Sequence, residues 1–223
     1  MEGNAEAHVE RGIALCKKGQ YEQAISEFNK AIRLNSQFAV AHCNRGNAYV
    51  ELGQHKMAIE DYDKAIHLNP QYIVAYCNRG LAYYRLGHLD RAITDYDEVI
   101  RLNSQDADAY CNRGLAYDDL GQHKRAIEDY DKAIQLSSQN AIAYYNRGLA
   151  YGKLGHLDRA ITDYDEVIRL NPQDADAYYK RGMAYKELDK KAESVADFEK
   201  SITLTTDPQL VEIARQKIEE LSK

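Results

Sequence analysis

The stretch from Leu86 to Tyr110 returns at Leu154 to Tyr178 with one difference in twenty-five positions, Ser104 against Pro172. The offset of 68 residues is twice 34, and a period of 34 runs through most of the chain. A fixed period of this length predicts a stack of like units, each of which buries its apolar faces against its neighbours. We therefore expect function on an extended surface and not in a catalytic pocket.

Six units of 34 residues fit the sequence without insertion. The eighth residue of every unit is glycine, the twentieth is alanine in five of the six units, and the twenty-fourth is aromatic. Tyr76, Gly80 and Tyr83 recur at helical spacing, and a second apolar stripe with Ala92 and Tyr96 follows. Each unit is therefore predicted to be two helices, which small residues allow to approach closely. The units span 5–38, 39–72, 73–106, 107–140, 141–174 and 175–208.

These spacings resemble the tetratricopeptide repeat (TPR), and the resemblance covers residues 5–208. It implies an all-α, right-handed solenoid of six helix–turn–helix repeats that form a single domain, 1–223. Residues 209–223 have the pattern of an amphipathic helix, and we expect them to cap the last repeat. The sixth unit departs from the pattern, because Asp189 replaces the mid-unit glycine in the turn between its helices.

An asparagine precedes the Arg-Gly pair in units two to five, and we call this series the asparagine ladder. By resemblance to the family, the first helices line the concave face, and the series is similar to the asparagine ladder of the O-linked N-acetylglucosamine transferase superhelix. Helix propensity does not explain these residues, and their amides complement a peptide backbone. The alternatives are simple duplication and contacts between repeats. The ladder is Asn44, Asn78, Asn112 and Asn146, with Lys180 at the same place in the last unit.

A row of mostly apolar side chains lies one helical turn after the ladder, and two tyrosines lie beside it. We expect these residues to contact the side chains of a bound peptide, since four backbone hydrogen bonds give only about 2–6 kcal/mol. The row is Asn47, Leu81, Leu115, Leu149 and Met183, and the tyrosines are Tyr145 and Tyr179.

Every unit has an arginine before its glycine and an acid before its second-helix aromatic. The acids recur in step with the arginines, which favours ion pairs between repeats, such as Asp61 with Arg79, over phosphate binding. A second acid, for example Asp63, is an alternative partner. The arginines are Arg11, Arg45, Arg79, Arg113, Arg147 and Arg181.

Four cysteines are predicted to be free thiols without a metal, because equivalent atoms of stacked helices lie about 10 Å apart and a disulfide needs Cα atoms within about 7 Å. Three of them, Cys43, Cys77 and Cys111, should form a column along the groove wall. Free thiols and the absence of a signal-like segment in Met1 to Gly19 predict a cytoplasmic protein. No apolar run is long enough to predict a membrane span.

The function that these patterns predict is a scaffold that holds an extended peptide or a partner helix. The net charge of −6 argues against nucleic acid as a partner. A carboxylate clamp for chaperone tails matches at Asn47 and Asn78, but Cys43, Asp108 and Asn112 replace its basic residues. No phosphate loop or nucleophile motif is present, so neither an enzyme nor a cofactor is expected. The alternative is a self-assembling protein that forms homo-oligomers through its end faces or groove.

Overall fold

The computed structural model describes residues 2–222, which form thirteen α-helices and no strand. The predicted all-α architecture of helix–turn–helix repeats is confirmed. The helices are α1 Glu2–Cys16, α2 Tyr21–Leu34, α3 Ala39–Glu51, α4 His55–Leu68, α5 Ile73–Arg85, α6 Leu89–Leu102, α7 Ala107–Asp119, α8 His123–Leu136, α9 Ala141–Lys153, α10 Leu157–Leu170, α11 Ala175–Glu187, α12 Lys191–Leu204 and α13 Pro208–Leu221.

Two compact units divide the chain, Met1–Ala116 and Tyr117–Lys223. In the first unit, α1 packs on α2, α3 on α4 and α5 on α6, and α2 and α4 also contact the first helix of the next pair. In the second unit, α9 packs on α10 and α11 on α12, while α8 contacts α9 and α10 contacts α11. The grouping of all six repeats in one domain, 1–223, stays a prediction.

The first-helix glycine lies against the aromatic ring of the second helix. A Cβ added to Gly80 would lie 2.9 Å from Cε1 of Tyr96, closer than carbon atoms can approach. Ala92 and Tyr96 are both buried, as expected for residues between two closely packed helices. The predicted close approach of the two helices is therefore confirmed, and it requires the missing side chain.

The turn between the two helices of a repeat depends on a left-handed residue. Gly87 has a φ of 75°, a value that glycine adopts without steric cost. Asp189 takes the same place in the sixth repeat with a φ of 59°. Aspartate is one of the few residues that tolerate this region, so the turn survives the substitution.

Helix α13 packs on α12 and begins at an aspartate cap. The Asp207 side chain accepts a hydrogen bond from the backbone N–H of Gln209, and Pro208 occupies the first turn. Ala214 is buried, and Glu220 forms an ion pair with Lys186 of α11. The amphipathic helix predicted over 209–223 is thus observed through Leu221, with Lys223 outside the described residues.

Five of the arginines that precede the repeat glycines, Arg11, Arg45, Arg79, Arg147 and Arg181, pair with an acid of their own repeat. Arg79 donates from Nε to Oδ2 of Asp95 at 2.9 Å and from Nη2 to Oδ1 at 2.6 Å. Arg45 grips Asp61 in the same way. The predicted pair of Asp61 with Arg79 is therefore wrong. The two helices of one repeat face each other across their turn, and this brings residues sixteen positions apart into contact.

The second acid supplies the link between repeats, as the alternative interpretation proposed. Asp63 Oδ1 lies 2.5 Å from Nη1 of Arg79, and equivalent pairs recur at 2.5–2.6 Å. Burial disfavours the charged form of Arg79, but hydrogen bonds and charge attraction from Asp95 and Asp63 outweigh it and raise the pKa of Arg79. Every arginine that precedes a repeat glycine therefore has an acidic partner, and we interpret these arginines as structural. The other links are Asp97 with Arg113, Asp131 with Arg147, and Asp165 with Arg181.

The thiols of Cys16, Cys43 and Cys77 are free, as predicted. The expected column along an open groove wall is wrong, because Cys43 and Cys111 are buried. Cys43 packs among Tyr62 and small side chains of its core cluster. Across the described residues, every helix is too short or too polar to cross a membrane.

Candidate functional site

A cavity of about 270 Å³ opens between the first helices of repeats two and three, inside the first unit. We call it the amide pocket, because two asparagine side chains meet in it. Asn47 lies on α3 and Asn78 lies on α5, which are the first helices of their repeats. The buried ring of Tyr62, on α4, lines the bottom of the cavity. The lining residues are Asn47, Val50, Glu51, Tyr62, Asn78, Leu81, Ala82 and Arg85.

Asn47 is the centre of the hydrogen bonding in the amide pocket. Its Oδ1 accepts a hydrogen bond from the hydroxyl of buried Tyr62 at 2.8 Å and another from Nδ2 of Asn78 at 2.8 Å. Within the described residues, Nδ2 of Asn47 and Oδ1 of Asn78 have no protein partner. One donor group and one acceptor, held side by side, complement the C=O and N–H of a peptide backbone.

The preceding ladder residue makes a different contact. Asn44 donates from Nδ2 to the backbone carbonyl of Val40, one turn earlier in its own helix, at 2.8 Å. Asn78 bonds to the residue 31 positions before it, Asn47. The residue 31 positions before Asn44 is Ile13, whose side chain cannot accept a hydrogen bond. The side chain that the preceding repeat offers therefore determines the hydrogen-bond partner of a ladder asparagine. The asparagine pair forms at the junction of repeats two and three.

Apolar walls and opposite charges complete the amide pocket. Leu81 is exposed and Val50 is half-buried, so aliphatic surface adjoins the amide pair. Glu51 and Arg85 occupy the same position of successive repeats and bring opposite charges to the lining. Glu51 accepts a long hydrogen bond of 3.4 Å from Tyr21. The pocket can thus hold the backbone of an extended residue and an adjacent aliphatic side chain.

The equivalent junction of repeats five and six, inside the second unit, holds a cavity of about 360 Å³. We call it the lysine pocket. Its lining is Leu149, Gly152, Lys153, Leu157, Ala160, Tyr164, Lys180, Met183, Ala184 and Glu187. Three of these residues, Leu149, Lys180 and Met183, belong to the set predicted from sequence, and the structure brings them together.

The lysine pocket has charges of the opposite sign at the positions of Glu51 and Arg85, and a lysine at the position of Asn78. Lys180 stands where Asn78 stands in the third repeat, and its Nζ lies 5.8 Å from the ring centre of Tyr179. Lys153 stands where Glu51 stands, and its Nζ lies 2.7 Å from Oδ2 of Asp118. Glu187 correspondingly replaces Arg85. Sequence reasoning missed these rim charges, although their alternation at the thirteenth position of each repeat was visible.

A third cavity, of about 250 Å³, lies near the start of α9 and α11 in the second unit. We call it the acidic pocket. The Tyr145 ring packs edge-on against Tyr164, with ring centres 6.0 Å apart. Burial, reinforced by the charges of Asp176 and Asp174, raises the pKa of Tyr145 to about 12. The lining residues are Ala141, Ile142, Tyr145, Val167, Asp174 and Asp176.

The remaining predicted residues line none of these three cavities. Asn112, Leu115 and Asn146 are half-buried on α7 and α9. Tyr179 packs against Phe198, with ring centres 5.5 Å apart, and burial raises its pKa while charged residues of α13 act on it. Among the residues that the structure describes, no group of three histidines, cysteines or acids is placed to hold a metal ion.

Family models of this repeat match most of the chain. The TPR repeat model matches residues 12–53 and 46–87. Models of the tetratricopeptide repeat match residues 77–141, 141–174 and 175–208. Among curated protein sequences, none matches this chain.

Several solved structures are similar to the chain. MamA is 30% identical, with a TM-score of 0.69 over 74% of this chain and 96% of MamA. YrrB, described as a TPR protein with an unusual peptide-binding site, is 25% identical, with a TM-score of 0.70 over 85% of this chain and 97% of YrrB. A tetratricopeptide repeat protein from Parabacteroides merdae is 24% identical and shares the fold, with a TM-score of 0.82 over 99% of this chain and 87% of that protein.

Proposed function

This chain belongs to the tetratricopeptide repeat family, and we propose that it is a scaffold that binds an extended peptide on the first helices of its repeats. Proteins of this family generally mediate protein–protein interactions. The peptide-binding site described for YrrB supports a peptide as the class of ligand. The amide pocket is the surface that we assign to it.

The observation that carries the proposal is the amide pair of Asn47 and Asn78. Their mutual hydrogen bond and the Tyr62 hydroxyl fix both side chains before a ligand arrives. The unused donor and acceptor then match the C=O and N–H of one residue of an extended chain, which point to the same side of the chain. A helix already uses its backbone groups internally, so this pair favours an extended peptide over a partner helix.

Two backbone hydrogen bonds contribute about 1–3 kcal/mol, whereas micromolar binding requires about 8 kcal/mol. The remainder must come from side chains of the peptide. Leu81 and Val50 supply apolar surface beside the amide pair. The proposal therefore requires a ligand with aliphatic side chains near the residue that the amide pair binds.

Selection of phage-displayed random dodecapeptides on the wild-type protein, followed by calorimetric titration of a selected peptide, tests the proposal. Asn78→Ala should weaken binding about tenfold, or 1.4 kcal/mol. Asn44→Ala is the matched control, because its amide bonds to its own helix and not to the pair. It should leave the affinity within a factor of about two.

Two results would contradict this assignment. Equal losses in both variants would place the peptide elsewhere on the first helices. Failure of the wild-type protein to select any peptide, together with concentration-dependent oligomers in sedimentation, would favour the self-assembling alternative. Circular dichroism of each variant shows whether a loss of binding reflects a loss of fold.

A further inference from the structure

The acidic pocket contains an exposed aliphatic side chain that the fold does not use. Ile142 is 65% exposed, and it lies beside buried Val167 and the ring of Tyr145. An apolar side chain left this open, in a cavity with a buried floor, offers surface for the apolar part of a ligand. It does not by itself specify the ligand.

The two carboxylates of this pocket differ from the other aspartates near the repeat junctions. The aspartates that precede the second-helix aromatic residues are paired with guanidinium groups, as Asp163 is with Arg147. Asp176 has no cationic partner among the described residues. Asp174 accepts only the backbone N–H of Ala177, at 2.9 Å, as the cap of its helix. Two negative charges therefore face an aliphatic surface without a counter-charge.

The first unit repeats this arrangement at positions 68 residues earlier. Val74 is 49% exposed, and the charges of Asp106 and Asp108 both act on the Cys77 thiol, whose pKa burial raises to about 11. Asp106 caps its helix through the N–H of Ala109 at 2.9 Å, as Asp174 does. The same kinds of aliphatic and acidic residues thus occupy equivalent repeat positions in each of the two units.

The junction of repeats two and three lacks the two acids. Tyr72 and Val74 occupy the positions that Asp106 and Asp108 take one repeat later, and Tyr72 packs against the core cluster that contains Cys43. That junction therefore has no acid at these two positions. The acids are therefore a property of particular junctions, duplicated with the 68-residue segment, and not a general requirement of the repeat.

We propose that each acidic–aliphatic site, at Ile142 with Asp174 and Asp176 and at Val74 with Asp106 and Asp108, binds a peptide segment that carries arginine or lysine next to an aliphatic residue. The methylene stem of the basic residue packs on the exposed aliphatic side chain, and its charged head lies between the two carboxylates. This inference rests on the proposed peptide-binding function and names the class of peptide.

The test repeats the dodecapeptide selection on the wild type and on a double variant, Asp108→Asn/Asp176→Asn. Neither residue caps its helix, so the double variant should fold. Asp90→Asn/Asp158→Asn is the matched control, because these exposed first-turn acids of α6 and α10 are also duplicated and change the net charge equally. Replacement of the selected arginine by citrulline, which is uncharged, gives the corresponding change in the peptide.

Peptides selected by the wild type and by the control should be enriched in arginine or lysine beside an aliphatic residue. The Asp108→Asn/Asp176→Asn variant should lose this enrichment and bind the best wild-type peptide about fivefold to tenfold more weakly. Citrulline should weaken binding to the wild type and have little effect on that variant. Peptides without basic residues, an equal loss in the control, or enrichment that survives the double variant would overturn the inference. Selection of no peptide at all would overturn the proposed function as well.

Discussion

Nη1 of Arg79 lies 2.5 Å from Oδ1 of Asp63, which ties the guanidinium of the third repeat to the second. The same guanidinium donates two hydrogen bonds to Asp95 within its own repeat. The two acids differ in environment, since the Asp95 side chain is 3% exposed and the Asp63 side chain is 52% exposed. The two links should therefore differ in their contribution to stability.

Arg79→Ala should lower the free energy of unfolding by about 3 kcal/mol, because it leaves the buried Asp95 carboxylate without a counter-charge. Asp63→Asn should lower it by less than about 1 kcal/mol, because that acid is open to solvent. Urea denaturation followed by circular dichroism measures both. Similar values for the two variants would show that the link within the repeat does not dominate.

Two glycines of α9 should respond to alanine with opposite signs. A Cβ on Gly148 would lie 2.9 Å from Cε1 of Tyr164, so Gly148→Ala should destabilise the protein by about 1–3 kcal/mol. A Cβ on Gly152 would meet nothing within 4 Å, so Gly152→Ala should stabilise it by about 0.5–1 kcal/mol. Thermal unfolding of the two variants provides the measurement, and a shift of the same sign in both would refute the packing argument.

The sequence predicted the helix pairs, the close approach at Gly80 and the terminal helix, because these follow from a period and from side-chain size. It assigned the wrong partner to Asp61. Arg45 and Arg79 are separated from Asp61 by similar numbers of residues on either side, and only the facing of the two helices decides between them. Spacing alone contains no such information.

The candidate site was predicted less completely than the fold. Asn44 and Asn78 occupy the same repeat position, yet one bonds to Val40 and the other to Asn47. The difference lies in the neighbouring repeat, at a position that a repeat consensus treats as variable. The acidic pocket was missed for the same reason. Asp174 and Asp176 form a candidate site only together with Ile142 of the preceding repeat, and the sequence alone does not show that these residues line one cavity.

The buried thiol of Cys43 should make the protein less stable at high pH. Burial, partly offset by a hydrogen bond with Tyr72, raises the pKa of Cys43 to about 11 from an ordinary value of 9.0. Below about pH 9 the folded and unfolded chains both keep this proton, so pH has no effect through it. Between about pH 9 and 11 the unfolded chain loses the proton first, which favours unfolding by about 1 kcal/mol per pH unit.

Urea denaturation from pH 8 to 11 should therefore show a smaller loss of stability in Cys43→Ala than in the wild type. Cys16→Ala is the comparison, because Cys16 is only half-buried whereas Cys43 is buried. An unchanged pH slope in Cys43→Ala would indicate that other groups, such as the buried tyrosines, cause the alkaline loss.

The hydrogen-bonding role of the amide pocket can be separated from its shape by changing the backbone of the peptide. If Oδ1 of Asn78 accepts from a peptide N–H, then N-methylation of that one peptide residue removes the same hydrogen bond as Asn78→Ala. The two changes together should then cost less than the sum of the separate costs. We expect a coupling free energy of about 1 kcal/mol at one position of a selected peptide, measured by calorimetry.

An N-methyl scan along the peptide supplies the controls. The coupling should appear at one residue and vanish at its neighbours, because one acceptor can engage one N–H. Asn44→Ala should show no coupling at any position, since its amide donates to Val40 in its own helix. Unchanged affinity in Asn78→Ala, with no coupling at any position, would mean that the peptide contacts the walls formed by Leu81 and Val50 but not the amide pair. In that case the asparagine pair would serve to join repeats two and three, and Asn78→Ala would reduce stability instead of affinity.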